Sequence, residues 1–182
     1  RIEVELEGRA RVYNMALGGR GPHHMLALLR SGEAEKIVEE TPRVAVYWAI
    51  EDHVSRAAGL RYWDKNGPLF QVDADGGVRH AGSFAEALDP PPRDPAPTGL
   101  ALIAWIVRDL TKVREHRRPA DLPRWAAIVA ASAVEVQERF PGCAFHALID
   151  DTVGEKTDAM IAALTEQGVA VHRISDIVPG YL

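Results

Sequence analysis

The sequence predicts an α/β domain built on a mainly parallel sheet with helices on its faces. Three observations carry that expectation. Short apolar runs of strand length recur at residues 44–50, 144–149 and 169–174. Segments with helical spacing of apolar residues lie between them, as at residues 121–140 and 157–167. Turns of two or three residues join helix, strand, helix and strand in the second half, and such alternation argues for parallel strands with crossover helices.

Taken in order, residues 1–7 alternate charged and apolar side chains and read as a strand or the end of a helix before Gly8, with the helix end preferred. Residues 11–17 read as a short buried strand leading into the turn Gly18-Gly19-Arg20-Gly21-Pro22. Residues 23–31 place Met25, Leu26, Leu28 and Leu29 at helical spacing, with Gly32 as the stop. Residues 44–50 form a continuous run of β-branched, aromatic and small residues, the pattern of a parallel strand covered on both faces. A helix is expected from Asp52 to Leu60, and residues 62–84 carry Asp-Lys-Asn-Gly and Asp-Gly-Gly turns that suggest a hairpin. The stretch 60–98 as a whole reads as an insertion or lid within one 1–182 domain segment. Its end holds five prolines between Asp89 and Pro97, which reads as a linker. A helix is expected over residues 100–113 and another over 121–140, with Asp121 as N-cap ahead of Pro123.

A chain of 182 residues is long enough for one buried core, and 47% apolar with 26% charged residues is ordinary for a globular protein. The net charge of −5 argues against a nucleic-acid partner. The basic residues Lys112, Arg114, Arg117 and Arg118 read first as a helix C-terminus complementing its dipole, with an anion patch as the other option. Cys143 is the single cysteine, so no internal disulfide forms and no zinc cluster can be built on it by spacing. The apolar run 125–134 is too short to span a bilayer, and the N-terminus lacks a signal-peptide plan. The chain as given is therefore cytoplasmic in character, although a leader upstream of Arg1 would change that. Oligomeric state is not readable.

Ligands of open parallel sheets sit outside the carboxyl ends of the strands, which directs attention to residues 18–24, 51–56 and 150–155. The glycine turn could aim backbone N–H groups at an anion, and His23 or His24 could face the same space. In Glu51-Asp52-His53, Asp52 reads as a helix N-cap or a site residue, and His53 as a donor to a bound oxygen; neighbours in sequence do not face each other, so they form no dyad. Asp150-Asp151, followed by Thr152 and Gly154, reads as a turn and cap, so no metal and no cofactor are expected. None of Ser31, Ser55, Ser83, Ser132 and Ser175 sits in a nucleophile-elbow setting. The aromatics Tyr62, Trp63 and Phe70 read as packing back on the domain, with lining of a lid as the other option.

The segment from Val12-Tyr13-Asn14 through Gly18-Gly19-Arg20-Gly21-Pro22-His23-His24-Met25-Leu26 resembles the second strand, glycine loop and following helix of SGNH/GDSL hydrolases. Residues 44–59 resemble their third strand and its loop, and residues 140–146 through Ser175-Asp176-Ile177 their last helix and strand pairs. The resemblance implies a three-layer α/β/α sandwich (SGNH/flavodoxin-like), incomplete at both ends, that hydrolyses or transfers ester groups. It implies a serine nucleophile block upstream of Arg1 and an Asp-x-x-His block downstream of Leu182. It also implies an oxyanion hole in which Gly19, or secondly Gly21, is the loop glycine. The family's asparagine falls at Glu51-Asp52-His53, where His53 is the expected substitute, its ring facing Gly19. The family's first strand lies between the strands of Val12 and Val46, so without it the chain is expected to be marginally stable. A small-molecule ester or acylated carbohydrate is the implied substrate. The competing readings are a non-catalytic ligand- or protein-binding domain of the same fold, and a flavodoxin-like or Rossmann-like domain holding a phosphorylated ligand at residues 18–21.

Overall fold

The computed structural model describes residues 2–5, 11–87, 120–152, 156–178 and 180. The expected proline linker, the helix over 100–113 and the basic cluster lie outside them. The elements run β1 (Ile2–Glu5), β2 (Arg11–Asn14), α1 (Pro22–Arg30), α2 (Glu33–Ile37), β3 (Val44–Ala49) and α3 (Asp52–Ala57). A 3₁₀ turn (Tyr62–Asp64) then leads to β4 (Pro68–Val72), β5 (Val78–Ser83) and α4 (Phe84–Ala87). The second half is α5 (Asp121–Arg139), β6 (Ala144–Ile149), α6 (Thr157–Glu166), β7 (Ala170–Arg173) and α7 (Ile174–Ile177).

The α/β class is thus observed, with a parallel sheet in the order β3-β6-β7. In register, Tyr47 stands beside Ala147 and Val171 is the next residue across, while Trp48 stands beside Leu148 and His172. Alternation along the strands makes two unlike faces. One holds Tyr47, Ala49, Phe145, Ala147 and Ile149, all buried against the helical layer. The other leaves Val44, Val46 and Trp48 at 53%, 60% and 46% exposure. The β3 run is apolar on both faces, and among the described residues it is the first of these faces that is covered by helices.

The long helix α5 organises the core. It packs on α1, α3, α6, β4 and β6, and buries Trp125, Ile128, Val129 and Val136 among Leu26, Phe70, Ile149, Met160 and Leu164. Its N-cap is Ala120, so Asp121 begins the first turn and is not the cap expected. Residues 2–5 form a strand, not a helix end: Ile2 and Val4 alternating with Glu3 and Glu5 is a period of two, and β1 pairs antiparallel with β2. That pairing also takes β2 out of the parallel sheet, and its Val12 is 42% exposed instead of buried. The turn-rich segment does form a hairpin, β4 with β5, whose Phe70 is inside the core.

Truncation should separate the two faces of β3 and α5 in the usual way. Ile128→Ala, at a position with no exposed surface, is expected to cost about 2–5 kcal/mol in urea unfolding. Val46→Ala, on the open face, is expected to cost under about 0.5 kcal/mol.

Candidate functional site

The glycine loop is built from local bonds. The Asn14 side chain accepts the Ala16 N–H at 2.9 Å, the Arg20 N–H returns to the Leu17 carbonyl at 3.2 Å, and Gly21 caps α1. Gly19 has φ +80°, a left-handed conformation that a side chain disfavours. Its carbonyl accepts the Trp63 indole N–H at 3.4 Å, while its own N–H has no partner among the described residues. Gly21 is a glycine for another reason. A Cβ there would stand 2.9 Å from His23 Cε1 and 3.1 Å from Arg56 Cβ.

The loop is fastened to α3 from the other side. Arg56 Nη1 donates to the Arg20 carbonyl at 2.7 Å, and Arg56 Nε donates to Asp52 Oδ2 at 2.7 Å. Arg61 also pairs with Asp52, and its guanidinium lies 5.6 Å from the Trp63 ring centre. Asp52 is therefore a brace between two guanidiniums. Glu51 holds the N-cap position, which corrects the cap assignment, and the Asp52 carboxylate, an acceptor only, is engaged by both guanidiniums. Phe70 is buried as expected, whereas Trp63 is 48% exposed and serves the loop; the Tyr62 side chain lies outside the described part.

His53 follows the carboxyl end of β3, one helical turn before Arg56. Its Nδ1 lies 2.8 Å from the Tyr47 hydroxyl, the rings are stacked 5.6 Å apart, and the Trp125 indole N–H donates to the same hydroxyl at 3.3 Å. Burial, reinforced by the charges of Arg56 and His23, pushes the His53 pKa down to about 3. The ring is therefore neutral near pH 7, and its Nε2 has no partner among the described residues. No contact joins the His53 ring directly to Gly19. Arg56 links the loop that carries Gly19 to the helix that carries His53.

Sequence reasoning noted His23 and His24 but missed Asp64, which gathers them. His23 Nε2 lies 2.7 Å from Asp64 Oδ2 and His24 Nε2 lies 3.1 Å from Asp64 Oδ1. Burial raises the Asp64 pKa, but hydrogen bonds from both imidazoles outweigh it and hold it at about 2. Burial lowers the His23 pKa against the opposing bond from Asp64. The three ligating atoms fall within 4.8 Å, a set with the chemistry to hold a divalent cation. Its surroundings fit hydrogen bonding better. Metal-bound imidazoles need an acceptor on the far nitrogen. His23 Nδ1 has none, and His24 Nδ1 faces the Gly21 N–H at 3.5 Å. Beside this cluster a groove of about 560 Å³ is lined by Arg20, His24, Asn66, His80, Ser83 and Glu86.

The remaining candidates are structural. Asp150 accepts the Thr152 N–H at 3.1 Å as an Asx turn, and Asp151 accepts from Ser175; the N-cap of α6 is Lys156, so the expected cap is absent. Cys143 is buried and its thiol pKa is raised by that burial. Every serine hydroxyl is engaged: Ser31 with the Leu28 carbonyl, Ser55 with Asp52, Ser83 with Glu86 and Ser132 with the Ile128 carbonyl nearby in sequence, and Ser175 with Asp151 across the loop after β6. None is placed by a histidine. Among the described residues no helix is long and apolar enough to cross a membrane. No family model, no curated protein and no solved structure matches the chain.

Acid should weaken the fold in two stages. Below the ordinary histidine value of 6.5 the unfolded chain takes up protons that folded His53 refuses until about pH 3, so stability falls as pH drops through that window. His23 acts in the same direction. Below 3.8 the unfolded Asp64 protonates before the folded one, so a second loss runs toward about pH 2. Urea midpoints are expected to drop between pH 7.5 and pH 5, and to drop less in His53→Gln; equal drops in both proteins would remove His53 from the account.

Proposed function

We infer that this chain is the central part of a serine-dependent ester hydrolase or acyltransferase of SGNH/GDSL type, organised as that family's three-layer sandwich. The nucleophile block precedes residue 1 and the catalytic histidine block follows residue 182. The observation that carries the reading is the 2.7 Å bond from Arg56 to the Arg20 carbonyl, which fastens the glycine loop to the helix that bears His53. Among the described residues the Gly19 N–H and the His53 Nε2 have no partner, and they lie on adjoining elements near one end of β3. Two preorganised donors of that kind are what stabilises the oxyanion of an acyl-transfer intermediate, and removing one costs about 10²–10³ in kcat. The substrate is a small ester or an acylated carbohydrate, and the groove beside His24, lined by both apolar and polar side chains, is the place on these elements to receive it.

A second reading is a non-catalytic ligand- or protein-binding domain of the same fold. It is favoured by the five serines, each already hydrogen-bonded within this chain. Hydrolysis of a short-chain nitrophenyl ester separates the two. The full-length product of the reading frame is expected to hydrolyse it while the 182-residue chain does not, and Gly19→Ala in the longer protein is expected to lose most of that activity. A folded but inactive full-length protein would transfer the conclusion to binding.

A further inference from the structure

We propose that Tyr47, backed by Trp125, is a positioning residue that fixes His53 as the tautomer with its proton on Nε2. The acyl-transfer reading supplies the use of that proton, and the tautomer itself follows from hydrogen-bond direction. An indole N–H can only donate. Trp125 is wholly buried and its N–H points at the Tyr47 oxygen at 3.3 Å, so that oxygen accepts. The tyrosine proton must then go elsewhere. Tyr47 is buried, and the acceptor the described residues offer it is His53 Nδ1 at 2.8 Å. A nitrogen that accepts carries no proton, so the proton of the neutral ring sits on Nε2, the atom left without a partner among the described residues.

The reverse arrangement fails on satisfaction. If His53 Nδ1–H donated to Tyr47, the hydroxyl would receive two bonds and its own proton would be buried with no acceptor. The stacked rings, 28° apart, keep the imidazole plane in register with the phenol. A donor on Nε2 is what the oxyanion reading needs from a residue standing where the family has an asparagine amide. A fixed neutral imidazole delivers it without a positive charge.

The test is the ¹⁵N tautomer state of His53 in the full-length protein, with its resonances assigned by their loss in His53→Gln. The wild type is expected to show a protonated Nε2 and an unprotonated Nδ1 at neutral pH. Tyr47→Phe is expected to shift the ring to a mixture of tautomers and to lower ester kcat by about tenfold with KM unchanged. A wild-type ring protonated on Nδ1, or a Tyr47→Phe ring that keeps its wild-type tautomer, overturns the proposal. The wild-type measurement decides the first point even where a variant fails to fold. The expected tautomer and shift in a protein with no esterase activity would leave the positioning role standing and overturn only the acyl-transfer reading.

Discussion

Trp125 has a single polar atom, and it sits at the centre of the helical layer with no exposed surface. A donor buried at that depth must find an acceptor or cost the fold the full desolvation of its indole N–H. It finds one on β3, and by doing so it connects the N-terminal part of α5 to the parallel sheet. The same indole that fills the core therefore sets the direction of a hydrogen-bond chain ending at the surface of α3. Packing and polarity are coupled here through one side chain.

Around that chain lies a second set of constraints made of charge. Arg56 and Arg61 close on Asp52, Arg56 continues to the loop carbonyl, and Asp64 collects the two histidines that open α1. Charged hydrogen bonds with partly buried partners are stronger than exposed ion pairs, because desolvated groups are screened less. Their effect is geometric: loop, α1, α3 and the 3₁₀ turn are held as one unit against the layer organised by α5.

Much of the architecture was legible from the sequence because its signals are local. The period of α5, the apolar run of β6 and the Asp-Gly-Gly hairpin each announce themselves within a dozen residues. Position-dependent properties were not. Nothing local in residues 2–5 says that β2 is their partner, and an apolar β3 looks the same whether one face or two are covered. At the site, His53 and the glycine loop stood out by their place after strands. Asp64 did not, because its partners are some forty residues away, and Tyr47 did not, because an aromatic in an apolar strand reads as core. It is core, and it is also the donor that decides what His53 can do.

The three glycines before α1 look interchangeable on the page, yet the fold holds each to a different standard. Gly18 has open space where a side chain would go, Gly19 is held by its dihedral angle and Gly21 by the atoms of His23 and Arg56. For a lineage accumulating substitutions, these are three different rates of permitted change within four residues. Gly18 can drift on its own. Gly19 can exchange only for a residue that tolerates a left-handed backbone, and Gly21 can change only after its neighbours have. The order in which such a loop can evolve is thus written in its free volume.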